Sequence, residues 1–230
     1  MVATENHLIE LLPHQDQLRL LSICEPVPLL ASEVLADHRK PASHVYFPIE
    51  GFISLLTVMN GKPSLGVGMV GSEGMLGVQL ALGNVLAPVH ALVQEPGRAW
   101  RAESGAFQLA LDRSPALQRN LNRYLYVLMS QWTMAAACQR FHSLRPRLAR
   151  WLLMSQDRCH SDRFVVTHEF LAHMLGVRRV GVTMAAGDLQ RNGLIEYHRG
   201  HVVVLDRQGL EAAACSCYAE DRSVYADTVA

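Results

Sequence analysis

The stretch from Phe164 to Asp206, FVVTHEFLAHMLGVRRVGVTMAAGDLQRNGLIEYHRGHVVVLD, constrains this chain more than any other. Val165 and Val166 are β-branched and suit a short strand. Thr167 is placed to cap a helix, its hydroxyl accepting one of the free N–H groups of the first turn. Phe170, Leu171, Met174 and Leu175 then share one helical face. Gly176 follows, where a helix end favours a positive φ. A second helix is predicted from about Arg178 to Gln190, burying Val182, Ala185 and Leu189. Counting His168 as the first position, Ala172 is fifth, Gly176 ninth and Val182 fifteenth. That spacing is what a helix-turn-helix needs: a small residue where the helices cross, a glycine at the turn, and an apolar plug between them. Asn192-Gly193 ends the second helix. Leu194–Tyr197 and His201–Leu205 read as two strands of a wing joined by Arg199-Gly200.

Charge falls in the same region. The chain is neutral overall, with 21 basic and 21 acidic residues. Residues 139–205 nevertheless carry ten arginines against five carboxylates, a net of +5. Arginine presents a planar fork that suits phosphate and guanine. Half of the 230 residues are hydrophobic, enough for a sizeable core. No run of 18 apolar residues occurs, and the N-terminus lacks a basic region ahead of its apolar part. The expectation is a cytoplasmic protein with no membrane association. Five cysteines, at 24, 138, 159, 215 and 217, show no framework of regular spacings. Reduced thiols are expected. Cys215 and Cys217 read as lying within one helix, where residues two apart diverge and chelate poorly, so no metal ligands and no cofactor are assigned.

Residues 5–22 contain two short helical patterns around Pro13, with Leu8, Leu11 and Leu12 in the first and Leu18 and Leu21 in the second. From Val27 to about Glu103, short apolar runs alternate with turn residues. His44–Pro48, Phe52–Val58, Ser64–Met69, Val89–Gln94 and Ala99–Ala102 read as strands. Glu50-Gly51, Asn60-Gly61 and Pro96-Gly97 read as turns. Ser114-Pro115 opens a long helix. Leu117, Leu121, Tyr124, Leu128, Gln131, Ala135 and Cys138 step by four and three, with Leu125 and Trp132 widening the stripe. This is the pattern of a two-helix seam, set against burial on the helix's own sheet. His142-Ser143 reads as a hinge, and Asp206 as the cap of a last, alanine-rich helix with an acidic tail.

This order resembles the Crp/Fnr family of bacterial transcription regulators. The likeness rests on VTHEFLAHMLGVRRVGVTMAAGDLQRNGLI (166–195) and on YFPIEGFISLL (46–56). It implies an α+β fold: an N-terminal β-roll of the cyclic-nucleotide-binding type (a double-stranded β-helix) over 1–113, a dimerisation helix over 114–141, and a C-terminal winged helix-turn-helix over 142–230. The implied function is that of a homodimeric, sequence-specific regulator of transcription on double-stranded DNA. Its operator would be palindromic, with a small-molecule effector left unidentified and RNA polymerase a candidate partner. Relatives that bind cyclic AMP carry a glycine-glutamate step and a phosphate-pairing arginine. Here Val78 follows Gly77, and Ala87-Pro88-Val89 stands where the arginine would be, so control by cyclic AMP is not expected. The N-terminal cysteine cluster of iron–sulfur relatives is absent.

By position, Arg178 and Arg179 open the recognition helix, and Arg179 matches the family's guanine-reading arginine. Val180 and Met184 depart from the polar residues common there, so the bases read should differ. Val180 is suited to a thymine methyl group. Thr183 shares that side. Thr167 and His168 are phosphate candidates at a helix start, and His198, Arg199 and His201 are candidates in the wing. The rival reading is a cupin-like binder or metal enzyme with a helical appendage. It needs a cluster of His and Glu on adjacent strands, whereas His38, His44 and His90 are scattered. No nucleophile motif or phosphate loop points to an enzyme.

Overall fold

The computed structural model describes residues 5–229. In order these form helices α1 (His7–Glu10) and α2 (His14–Leu21), strands β1 (Glu25–Leu29), β2 (Val34–Ala36), β3 (His44–Met59) and β4 (Lys62–Val70), a 3-10 turn (Val78–Leu82), strand β5 (His90–Glu103), and helices α3 (Ser104–Arg113), α4 (Pro115–Phe141) and α5 (Leu144–Cys159). Strand β6 (Arg163–Val165), helices α6 (His168–Leu175) and α7 (Arg179–Arg191), strands β7 (Ile195–His198) and β8 (His201–Val204), and helices α8 (Arg207–Ala213) and α9 (Cys217–Val229) complete the chain. Among the described residues no helix is long and apolar enough to cross a membrane.

The chain divides into two compact units. The first comprises residues up to Leu55, Met69–Met129 and the end from Tyr225; the second comprises Leu56–Gly68 and Ser130–Val224. The N-terminal half of the chain forms the expected antiparallel sheet, ordered β1-β5-β3-β4, with β2 also paired to β5. β1 pairs with the second half of β5 (Val27 opposite Ala99), and β2 with the first half (Val34 opposite Leu92). Phe47, Phe52, Ile53 and Phe107 are fully buried. The rings of Phe47 and Phe107 meet edge to face at 6.1 Å.

Two expected turns are not turns. β3 runs unbroken through Glu50-Gly51, and β5 through Pro96-Gly97. The glycines are there because the two strands nearly touch. A Cβ on Gly51 would fall 2.3 Å from the Glu95 carbonyl oxygen, and one on Gly97 would fall 2.1 Å from that of Glu50. Asn60-Gly61 is a true hairpin turn, with both φ values positive (52° and 73°), as the right-handed twist of the flanking strands favours. In the N-terminal helices the buried leucines are Leu8, Leu12 and Leu20, whereas Leu11 and Leu18 are exposed.

Sequence periodicity missed α3, which buries Phe107 and Leu111. α4 begins as expected: Ser114 Oγ accepts from Leu117 N at 3.1 Å, and Pro115 occupies the first turn. On α4 part of the stripe expected to form a seam is covered by the chain itself. Leu117, Leu121, Tyr124 and Leu128 are buried within their own chain, and Tyr124 packs where Gly74 leaves no Cβ. Leu125, Gln131, Trp132 and Ala135 are only half-buried. A different stripe faces outward, Asn122, Tyr126, Met129, Thr133 and Ala136, again stepping by four and three. Tyr126 is 61% and Met129 62% exposed. An alternating 4-3 pattern cannot say which of two such stripes the domain's own core takes.

In the second unit, Leu148, Leu152 and Leu153 of α5 pack with the apolar faces of α6 and α7. Pro146 sits in the first turn of α5 and does not interrupt it. β6, β8 and β7 form a three-stranded sheet in that order, with Val165 opposite His201 and Tyr197 opposite Val202. Asp206 caps α8, accepting from Gly209 N at 2.9 Å. What read as an acidic tail is helix α9, whose buried Asp221 pairs with Arg150 of α5. Cys215 lies in the break between α8 and α9, and Cys217 is the first residue of α9. The expectation that both cysteines share one helix therefore fails.

Candidate nucleic-acid interface

The helix pair forms as its sequence requires. Thr167 Oγ1 accepts from Phe170 N at 3.1 Å, closing the start of α6. Gly176 ends α6 with φ +64°. A side chain there would be strained, and its Cβ would also lie 2.7 Å from Leu65 Cδ1. Ala172 and Val182 are both buried, Val182 completely. Arg147 Nη2 donates to the Leu175 carbonyl and to Gln139 Oε1. A cation at the last carbonyls of α6 suits the negative end of the helix dipole and fixes the turn that aims α7.

With its apolar face buried against α5 and α6, α7 turns Arg179, Val180, Thr183 and Met184 outward. Val180 is 69% and Met184 67% exposed. Arg178, the N-cap, is exposed as well. Two large apolar side chains are thus left largely exposed on this helix, and apolar contact with thymine methyl groups is one chemistry that would use them. His198, Arg199 and His201 are exposed at the wing tip, where Arg199 and Gly200 take positive φ values of 48° and 90°.

His168 sits differently from the other candidates. Its ring stacks on Tyr197 at 4.3 Å between centroids. Its Nδ1 shares a 3.0 Å hydrogen bond with Thr183 Oγ1, and Thr183 Oγ1 also lies 3.2 Å from the Arg179 carbonyl, to which it can donate. Tyr197 in turn donates to the Val166 carbonyl. His168 thus links α6, α7 and the wing and holds α7 from within. Thr167 remains exposed beside it. Burial, and then the nearby Arg179 charge, lower the His168 pKa.

A group whose folded pKa is depressed adds stability that is full above its unfolded value, near 6.5, and is lost as pH falls through the folded value. The melting temperature of the chain is therefore expected to fall between about pH 7 and about pH 5, and His168→Gln to flatten that slope. Thermal unfolding across this range checks it; an unchanged slope in the variant would assign the effect elsewhere.

The segment 71–93 does not fit a cyclic nucleotide. Val78 and Ala87 are buried and apolar, and Glu73 accepts from Gly71 N of its own loop at 3.2 Å. The segment itself carries no lysine or arginine to pair an anionic phosphate that gave up its hydration there. Nor do the histidines of the sheet unit converge. His90 Nδ1 lies 3.1 Å from Asp37 Oδ1, His38 Nδ1 2.9 Å from the Pro88 carbonyl oxygen, and His44 Nδ1 2.9 Å from Ser43 Oγ.

Residues 146–213 match the family model of the Crp-like helix-turn-helix domain. Over 174 residues, 71% of this chain and 78% of the relative, the sequence is 26% identical to the global nitrogen regulator of Nostoc sp.. It is 24% identical over 176 residues to the protein of the same name from Synechococcus elongatus, covering 72% of this chain and 79% of the relative. The fold is similar to FixK2 from Bradyrhizobium japonicum, with a TM-score of 0.71 at 13% identity over 84% of this chain and 98% of that one. It is also similar to a Crp/Fnr-family transcriptional regulator from Thermus thermophilus, with a TM-score of 0.68 at 23% identity over 83% and 98%.

Proposed function

We propose that this chain, a member of the Crp/Fnr family of DNA-binding transcription regulators, acts as a homodimer that lays one α7 helix from each protomer into the major groove of a palindromic operator. The observation that carries this reading is the outward row Arg178, Arg179, Val180, Thr183 and Met184 on a helix held from behind by buried Val182, Ala185 and Leu189. Arg179 would read guanine with its fork, and Val180 and Met184 would favour thymine-bearing steps nearby. Thr167 and the wing residues His198, Arg199 and His201 would hold phosphates and set register. The unfitness of 71–93 for a cyclic phosphate supports an effector of another chemistry.

Selection from a random pool of duplex DNA tests this. The expected product is an inverted repeat whose half-sites lie about one helical turn, roughly 34 Å, apart. Recovery of an unrelated pool would end the proposal. The dimer is expected to form on the stripe Tyr126, Met129, Thr133 and Ala136. Met129→Glu places two carboxylates near the two-fold axis and is expected to shift the chain to monomer in sedimentation. A variant that sediments as the parent does would place the seam on another surface.

A further inference from the structure

A second cluster of chemical groups lies in the unit that holds the reading helix. Cys138 lies on the last turn of α4 and His142 just past the helix end, where His142 N donates to the Cys138 carbonyl at 3.2 Å and keeps the two residues one turn apart. Cys215 and Cys217 approach from the break between α8 and α9. The four ligand atoms all lie within 4.8 Å of one another. Cys138 Sγ is 3.6 Å from Cys215 Sγ, and Cys217 Sγ is 3.5 Å from His142 Nδ1. Tetrahedral zinc, with Zn–S near 2.3 Å and Zn–N near 2.0 Å, sets its ligands about 3.8 Å (S to S) and about 3.5 Å (S to N) apart. Both measured pairs match those separations to within a few tenths of an ångström.

The setting suits a closed structural site. The three cysteines are buried, with Met134 packed against them, while His142 keeps part of its ring at the surface. Three thiolates with one divalent cation leave a net charge of −1. Arg150, half-buried and paired to buried Asp221, lies close enough to act electrostatically on all three sulfurs. A disulfide between Cys138 and Cys215 would need the sulfurs to close to about 2.05 Å. It would also leave the convergence of Cys217 and His142 without a role.

We propose that Cys138, His142, Cys215 and Cys217 form a Cys3His site for a soft divalent transition metal, zinc foremost, that fastens the end of α4 to the start of α9. Binding displaces three thiol protons, and the imidazole enters neutral through Nδ1. The two cysteines outside the cluster, Cys24 and Cys159, take no part. This site is independent of how α7 reads DNA, and its test does not use DNA.

Full-length chain, purified under reducing conditions without chelator and dialysed, is expected to retain about one equivalent of zinc by elemental analysis. Cobalt(II) added to the metal-free reduced chain is expected to give the intense visible bands of tetrahedral coordination, with thiolate-to-metal charge transfer. Cys24→Ser and Cys159→Ser keep the equivalent; Cys217→Ser and His142→Ala lose it. The spectrum of the parent chain stands even where a variant fails to fold. A reduced chain that binds no metal, a pale octahedral cobalt spectrum, or a Cys138–Cys215 disulfide in a chain that stays metal-free after reduction would each overturn the site.

Discussion

Arg179→Ala is expected to lower affinity for the selected duplex by on the order of a hundredfold or more, and to do so by erasing preference rather than adhesion. A bidentate arginine–guanine pair is worth roughly 1–3 kcal/mol of discrimination, and a two-fold operator would contain it twice. The variant should therefore bind the selected duplex and a scrambled one almost equally. Arg178→Ala is the contrasting case. Arg178 occupies the N-cap position just outside the first turn of α7 and makes no side-chain cap bond, which leaves it to a phosphate. Its loss should weaken all duplexes alike and reduce the salt slope by about one counterion per site. Anisotropy titrations on both duplexes at several salt concentrations separate the two. An Arg179→Ala chain that keeps its preferred sequence would remove Arg179 from base reading. The folded state is not at stake, because both arginines are exposed and the packing behind them is apolar.

Gly51→Ala is expected to give the largest loss of stability, about 3 kcal/mol or more, from two causes that add. The φ of +72° is strained for any side chain, at roughly 1–3 kcal/mol. The new Cβ would also meet backbone, the Glu95 and Pro96 carbonyl oxygens at 2.3 and 2.6 Å, and backbone cannot swing aside. Gly61→Ala separates these causes. Its φ is the same within a degree, 73°, but nothing lies within 4 Å of the added carbon. Only the conformational part remains, about 1 kcal/mol. Chemical denaturation of the two variants measures the difference. Equal losses would show that the approach of β3 to β5 relaxes freely, against the contacts described above.

The helix-turn-helix was legible because its determinants are local. A capping threonine, a small crossing residue, a glycine at a positive φ and an apolar plug act within about fifteen positions, and each is a requirement of one residue on its neighbours. The same holds for the Asn60-Gly61 hairpin and the Asp206 cap. Where two arrangements satisfy the same local pattern, the sequence leaves them tied. Glycine after a polar residue signals a turn, and it equally permits a close strand crossing, which is what Gly51 and Gly97 do. The 4-3 rhythm of α4 runs along two stripes, and only the packing of Leu121 and Tyr124 inside their own unit releases Tyr126 and Met129 to the surface.

Distance along the chain explains the rest. Cys138 and Cys215 stand 77 residues apart and meet at 3.6 Å. Neither Cys138-x-x-x-His142 nor Cys215-x-Cys217 reveals its partner, and the broken helix between α8 and α9 that makes room for them is a product of folding. What the chain's order of residues determined by itself was the helix-turn-helix, its wing and the basic face; what the tertiary structure alone decided was which faces remain outside and which distant side chains meet. The physical reason is that short-range patterns specify backbone conformation, whereas burial is assigned by competition among all the elements for one core.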